Sequence, residues 1–597
     1  MKNKKKGFTI VELVIVIGVI GILSAILIPT FINLSSKAQL ASDQSDARNM
    51  TTYLRTAKIS GKYNSISEVY EAFQDSNYDI KSKTPSTSDA VYGFDMDKQE
   101  IGLYNKNTHK LMWSISGEEG TDITESTYLF YPNNTNAMLF SNSSLSDEEI
   151  SSLSFNAPVS ICVDKGKVLK TSSISINSES QGHIEINGML NVDSFTINCP
   201  NASAKQDGVV CGTLDVNAIN DQALTINGYI QNLAIGNGSY NVSKEGAVLE
   251  ITEANTNSKL TIDGYVGYIS DSEFNKIDST SENPAFINNG FLGKQYDTAH
   301  SSSVALINEQ WKEKINYNVE INNVEDLLKF SAKTQHSLSP YISHDLSIGR
   351  GENLDLNYRL VNVSLNKDID LENIVYVPIA SWDSTCTFKS NTNNIKSAMT
   401  SCGGRISNIH MHFNGNNHII KNMKVYLAGE VGLGSTIENI KLNYNYDNTL
   451  LVDENKNVVY VTEYDKVNVT QINRGTTDPC HYGCVTTTVG AYSPTSSWEE
   501  TDRIIFNNLV LSGYMYFDFE NPGYDFKRGY IIENAYTGWV TGHTSYATSP
   551  YSVTNCDISE LFVSNTFMGT SVNVIGRTST TQYGYNCNMD LSGDTSW

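Results

Sequence analysis

Apolar positions along this chain follow three successive patterns. From Phe8 to Val11 and again from Leu13 to Ile28 they are nearly continuous, interrupted only by Thr9, Glu12 and Ser24 among polar residues. About twenty residues of this kind are enough to cross a bilayer as a helix. Further on, Leu40, Ala47, Met50, Leu54 and Ala57 form one helical stripe, which predicts an amphipathic continuation ended by Gly61. A second short helix is marked by the capping-box pattern Ser65-Ile66-Ser67-Glu68 and by a stripe of Ile66, Val69, Tyr70 and Phe73. Period-two alternation then takes over. Tyr92–Tyr104 reads as strand, turn, strand, and a turn at Asn105–Thr108 leads to Leu111-Met112-Trp113. The pattern predicts a long helix with a small antiparallel sheet that closes near residue 120.

The remainder is repetitive. Ile184–Leu190, Leu224–Ile230 and Leu260–Val266 share one pattern: an alternating strand, an Asn-Gly or Asp-Gly turn and a second strand, at spacings of 40 and 36 residues. This recurrence points to a β-solenoid or, alternatively, to a stack of hairpins. After a helical signal at Asn323–Phe330 come Asn366–Leu371, Phe413–Ile420 and units of Asn-apolar-x-apolar type. Those units begin at Asn422, Asn439, Asn508 and Asn555. Turn asparagines stacked between inward apolar side chains account for the Asn content without an active site.

Charge sharpens this picture. The chain has 597 residues with 42 Lys+Arg against 65 Asp+Glu, a net charge of −23, and only 18 % charged residues. Such a length exceeds one hydrophobic core. The acid excess argues against nucleic acid as a partner, since no basic stripe exists to displace counterions from phosphate. Four basic residues, Lys2, Lys4, Lys5 and Lys6, crowd the first six positions, and no other appears until Lys37. That asymmetry places the N-terminus in the cytoplasm and the bulk of the chain outside the cell.

The segment Lys6-Gly7-Phe8-Thr9-Ile10-Val11-Glu12-Leu13 resembles the prepilin peptidase site of type IV pilins and pseudopilins. The resemblance extends over roughly residues 1–35, with Pro29 late in the helix. It implies cleavage after Gly7, N-methylation of the new terminal Phe8, and pairing of Glu12 with the Phe8 amine of a neighbouring subunit. A carboxylate in an apolar helix costs on the order of 3 kcal/mol and is seldom accidental. Gly21 and Pro29 are expected to loosen the helix during assembly, because Pro29 lacks an N–H donor. More distally, the Asn units and Val431-Gly432-Leu433-Gly434 resemble GLUG-type right-handed β-helices of bacterial surface proteins.

Candidate chemistry elsewhere is sparse. All nine cysteines (Cys162, Cys199, Cys211, Cys386, Cys402, Cys480, Cys484, Cys556 and Cys587) lie beyond the apolar helix, where disulfides are permitted; Cys386–Cys402 and Cys480–Cys484 are plausible local pairs. Cys480-His481-Tyr482-Gly483-Cys484 has no second pair at zinc-finger spacing. His410 and His412 fall on one face of a predicted strand with His418 close behind, read as a surface ladder rather than a metal site. Asp368 and Asp370 share a face as glycosidase carboxylates do, but in a repetitive structural context. No phosphate loop or hydrolase signature is present.

The expected organisation is therefore a leader at 1–7, a membrane and filament-core half-helix at 8–31, and an α+β head at 32–120. Two mostly-β regions follow at 121–310 and 311–597. The function expected is that of a filament subunit, minor or at the tip, displaying an adhesive β ectodomain. It needs no cofactor, metal or catalytic residue. Its partners would be other pilin subunits, the prepilin peptidase, the assembly machinery, the membrane, and a surface glycan or protein. Two alternatives stand beside it: a pseudopilin of a secretion or competence system, and a polysaccharide-acting enzyme carried on a filament.

Overall fold

The computed structural model describes residues 9–56, 64–133, 136–278, 285–295, 304–336, 339–344, 360–374, 376–380, 407–423, 426–432 and 434–445. It also describes the strands and short stretches 451–452, 458–459, 481–483, 485–489, 503–517, 536–544, 551–565, 573–578 and 588–592. The chain divides into two compact units, Met1–Lys165 and Gly166–Trp597.

In the first unit, helix α1 (Ile10–Thr56) is continuous through Pro29, and the Thr30 hydroxyl donates to the Ile26 carbonyl at 2.8 Å. Its distal half carries the expected stripe: Ala47, Met50 and Leu54 are buried. Ala57 and Gly61 lie outside the described residues. Helix α2 (Ile66–Asp75) starts as its sequence predicts, with the Ser65 side chain accepting from the Glu68 backbone. The Glu68 carboxylate reaches back one residue further, to the Asn64 N–H. Strands β1 (Ala90–Asp95), β2 (Glu100–Asn105) and β3 (Leu111–Trp113) form the predicted meander.

The sheet does not close near residue 120. Strand β4 (Thr127–Asn133) pairs with the other side of β1, and β5 (Ala137–Ser141) pairs antiparallel with β4. After α3 (Asp147–Ser152) and the two-residue β6 (Ser154–Phe155), β7 (Val159–Val163) pairs antiparallel with β5. The physical reason is plain in the burial: β1 is covered along its whole length, so it requires a neighbour on both edges. The core joins Ala47, Met50 and Leu54 of α1 and Ile66, Val69 and Phe73 of α2 to Phe94, Ile101, Phe130 and Phe140 of the sheet. Asp43 fastens α1 to the loop before β1. Its carboxylate is 1 % exposed and accepts from the Ser86 N–H (2.8 Å), the Thr87 N–H (2.9 Å) and the Thr87 hydroxyl (2.7 Å).

The second unit begins with strands β8 (Val168–Asn177), β9 (Gly182–Cys199), β10 (Ala202–Ile219), β11 (Leu224–Ile226) and β12 (Tyr229–Val242). It continues through β13 (Ala247–Ala254), β14 (Ser258–Ile262) and β15 (Tyr265–Ser270). After α4 (Asp271–Asp278) come β16 (Phe286–Asn288) and β17 (Phe291–Gln295). All of these pairings are parallel, and between local register shifts the aligned positions form columns. One buried column runs Ile184, Ala204, Leu224, Tyr240, Leu260. Another runs Leu190, Val210, Ile230, Val248, Val266. Each step is about 20 residues, so the sequence repeats at 40 and 36 are alternate rungs of a finer period.

Parallel pairing also removes the hairpin alternative. Asn187-Gly188 lies inside β9 as a corner, and the segments on both sides of it pair with the next rung. Corner glycines stack so closely that a Cβ on Gly208 would come within 2.4 Å of the Gly188 carbonyl oxygen, and one on Gly228 within 2.0 Å of that of Gly208. Gly208 also has φ +97°.

Beyond β18 (Val304–Ile307), helix α5 (Glu309–Lys312) and β19 (Asn318–Ile321), helix α6 (Val324–Lys333) leads into a second parallel ladder. Its strands are Val361–Leu365, Met411–Asn414, Thr436–Asn445, Ile504–Phe517, Tyr551–Asn565 and Asn588–Ser592. Val363, Phe413, Ile437, Phe506 and Val553 form its central buried column. Asn422, Asn439, Asn508 and Asn555 all have φ between +54° and +58°. They are the residues that open the four Asn units, and asparagine tolerates this left-handed conformation better than other side chains. The Asn508 amide donates to the Asn439 side chain at 2.8 Å. Leu433 of the Gly-Leu-x-Gly pattern lies outside the described residues.

The two ladders share one core. Val209, Tyr229 and Ala247, on the outside of the first ladder, pack with Leu327 and Leu328 of α6 and with Val363 and Phe413. Lys329 of α6 donates to the Asn227 carbonyl at 2.6 Å. The stacked corner makes a direct prediction. Gly208→Ala combines a positive φ with a backbone clash and is expected to destabilise the second unit by about 2 kcal/mol or more, measured by denaturant unfolding of the full chain against a Gly166→Ala control. Gly166 also has a positive φ (+72°) but nothing within 4 Å of its Cβ position.

Candidate functional site: the N-terminal helix

Thr9 is the first described residue, so Gly7 and Phe8 lie outside the described region. Glu12 does not. Its Oε2 accepts from the Thr9 N–H and from the Thr9 hydroxyl, both at 2.9 Å, and the Glu12 N–H lies 3.3 Å from the Thr9 Oγ1. Leu13 N–H donates to the Thr9 carbonyl at 3.1 Å, which closes the first helical turn. Thr9 and Glu12 are thus a reciprocal capping box, the Thr-x-x-Glu pattern that the sequence displays but that is hidden inside an apolar run. Glu12 is held at the helix start with its carboxylate satisfied locally.

The helix around it buries almost nothing within the chain. Ile10 is 81 % exposed, Phe31 74 % and Leu34 62 %, and the large residues between them are bare to a comparable degree. A Cβ on Gly18 or Gly21 would meet nothing within 4 Å, so their smallness is not used inside this chain. This is one helix long and apolar enough to cross a membrane. At about 25 cal/mol per Å² such a surface is strongly driven to leave water, into lipid or against other helices.

The other candidates do not converge. His410 is buried against Gly432, while His412, within the strand Met411–Asn414, is half-buried. The expected surface ladder therefore loses His410, which the fold covers. His418 pairs with Asp368 at 3.0 Å, and Asp370 accepts from the Asn422 amide at 2.6 Å, so the two carboxylates are engaged by different partners one rung away. The His418 contact and the Ile419 N–H hold the Asp368 carboxyl below its ordinary range. Cys162, Cys199, Cys211 and Cys556 are buried thiols, and burial pushes that of Cys199 up to about 11. Cys386, Cys402, Cys480, Cys484 and Cys587 lie outside the described residues. Among the described residues, no three His, Cys, Asp or Glu side chains are grouped to hold a metal ion.

Two coil carboxylates stand apart. Asp215 is pushed up by burial and by the charge of Glu253, which lies two strands away in the same column. Glu250, between Asn232 and Tyr268, is raised by burial alone, to about 7. A carboxyl raised in the fold favours folding when protonated. Its stability is full below about 4.5, the ordinary value, and falls as pH rises to about 7. Glu250→Gln is therefore expected to stabilise the chain at pH 8 by up to about 3 kcal/mol and to change little at pH 4, read from denaturant midpoints at both pH values.

Residues 2–28 match the family described as the prokaryotic N-terminal methylation motif. Among curated proteins, three type IV major fimbrial proteins FimA of Dichelobacter nodosus are similar. One is 38 % identical over 88 residues, which is 15 % of this chain and 54 % of that protein. The second is 37 % identical over 94 residues, 15 % of this chain and 59 % of the relative. A third is 42 % identical over 62 residues, 10 % of this chain and 40 % of the relative. The chain thus spans about half the length of the curated relatives it matches. No solved structure matches it. The methylation motif and the fimbrial likenesses both fall on the capped, unburied helix: the N-terminal part of this chain is similar to that of type IV major fimbrial proteins.

Proposed function

We propose that the chain is a structural subunit of a type IV pilus-like filament, present in few copies or at the tip, and that it displays a β-solenoid for attachment. The carrying observation is α1. Its most apolar half is exposed and packs against nothing among the described residues, yet it begins with a carboxylate held in place by Thr9. A helix of that kind suits a lipid bilayer first and a bundle of identical helices afterwards. In such a bundle Glu12 exchanges its Thr9 contacts for the amine of a neighbouring Phe8, once the prepilin peptidase has cut after Gly7 and Phe8 has been methylated. Gly21 and Pro29 give the helix room to loosen as it leaves the membrane for the filament.

The parallel columns and left-handed Asn corners support a β-helix for Gly166–Trp597, of the kind found in GLUG-type surface proteins. A unit of that size on every subunit would crowd a helical lattice, which favours sparse placement. The role is binding rather than catalysis. Asp368 and Asp370 are taken up by His418 and Asn422, and among the described residues no charged group is paired with Glu250. The ligand class is a surface glycan or protein, and the acidic chain disfavours nucleic acid. Immunogold labelling of sheared filaments tests this: sparse or tip label is expected, and dense label along the shaft overturns the minor role. Label confined to the cell envelope favours the pseudopilin alternative. Glu12→Val is expected to insert in the membrane and to be depleted from filaments; incorporation at the normal level removes Glu12 from assembly.

A further inference from the structure

Two Asn-Gly corners of the first ladder share one contact and differ in another. Asn227, between β11 and β12, donates its side-chain amide to the Asp207 carboxylate of the preceding rung at 2.7 Å. Asn289, between β16 and β17, does the same to Asp263 at 2.8 Å. Their backbones are held differently. The Asn227–Gly228 peptide is fixed at both ends: its carbonyl accepts from Lys329 at 2.6 Å, and the Gly228 N–H lies 3.3 Å from the Gln206 carbonyl and 3.2 Å from the Gln206 Oε1. Gln206 is fully buried. At the Asp263 corner the Gly264 N–H likewise donates to the preceding rung, at the Val242 carbonyl (3.1 Å). The Gly290 N–H instead turns to the Asn288 side chain in its own strand, at 3.0 Å. Asn288 is half-buried and Asn289 is exposed, in the last parallel rung before antiparallel β18.

We propose that Asn289 is a site of spontaneous deamidation in the folded chain, and that the ladder shields Asn227 from the same reaction. Water is the only co-reactant. The glycine nitrogen gives its proton to solvent base and bonds to the Asn Cγ; the Cγ–Nδ2 bond breaks, ammonia leaves, and a succinimide closes. Water then opens the ring. Attack at Cγ yields Asp, and attack at the main-chain carbonyl carbon yields isoaspartate. The nitrogen must swing toward its own side chain, which costs the hydrogen bonds that hold its peptide. At Gly228 those run to the preceding rung and to Lys329, whereas at Gly290 the N–H has one local bond to release. Either product sets a second carboxylate against Asp263 where an amide had been, and like charges on facing positions destabilise a sheet. Isoaspartate also adds a carbon to the main chain, so β16 and β17 cannot both keep register with β14 and β15. The last rung thus loosens as the chain ages, whether or not the chain enters a filament.

The test is incubation of the full chain in detergent at mildly alkaline pH, with deamidation at each asparagine followed by peptide mass spectrometry. In the folded chain Asn289 is expected to react about ten-fold faster than Asn227. In urea, where the ladder is gone, the two are expected to react at similar rates. A folded Asn289 rate no greater than that of Asn227 overturns the proposal. A ratio that persists unchanged in urea overturns it too, because the difference would then belong to the local sequence and not to the fold. The loosening is read separately, by amide hydrogen exchange over residues 286–295. Asn289→Asp is expected to speed exchange there. The swapped pair, Asp263→Asn with Asn289→Asp, restores one carboxylate and one amide and is expected to return exchange toward the parent. Exchange unchanged in Asn289→Asp, or left fast in the swapped pair, overturns the loosening by facing carboxylates.

Discussion

Parallel register is the constraint on which most of this molecule rests. Along the described rungs of the second unit, inward side chains such as Ile184, Ala204 and Leu224 sit one on another, and the corner glycines Gly188, Gly208 and Gly228 do the same. The backbone ladder is satisfied only if that registry holds, because an unpaired buried peptide group costs as much as a lost hydrogen bond. Everything else adapts to it. Gly188 and Gly208 leave the corner free of side chains, Asn439 and Asn508 adopt a left-handed turn and bond to each other, and Tyr229 fills the outer face under α6.

What could be read in advance follows from how local each signal is. The α2 start was legible at Ser65 and Glu68 because capping involves residues three apart. The four Asn units were legible because a left-handed corner restricts residue type. The finer period was not, because burial restricts only size and polarity: Ala204 and Gln206 occupy the same columns as Ile184 and Ile186 without resembling them. Gln206 fits because its amide meets the Gly208 carbonyl and its oxygen the Gly228 N–H. The Asn-Gly pairs left a stack of hairpins open beside a solenoid for a similar reason. The dipeptide specifies a bend and says nothing about which strand the bend returns to.

The head shows the same division. Its helices and first three strands were visible as patterns, whereas its true end at Lys165 depends on β1 needing cover along both edges. At the N-terminus, Thr9 and Glu12 went unread as a cap because the surrounding apolar run dominates the pattern. Parity placed His410 with His412 in a surface ladder, whereas His410 is buried.

Stacking by registry carries a consequence for how such a chain can vary. A rung that repeats the columns above and below it is interchangeable with its neighbours, so a whole rung of about 20 residues can be gained or lost while both ends remain matched. Each such event changes the ladder by one inter-strand spacing, about 4.8 Å. An insertion of any other length must leave the ladder as a loop or break every column beyond it. The reach of the displayed unit is thus quantised, and related chains are expected to differ in whole rungs.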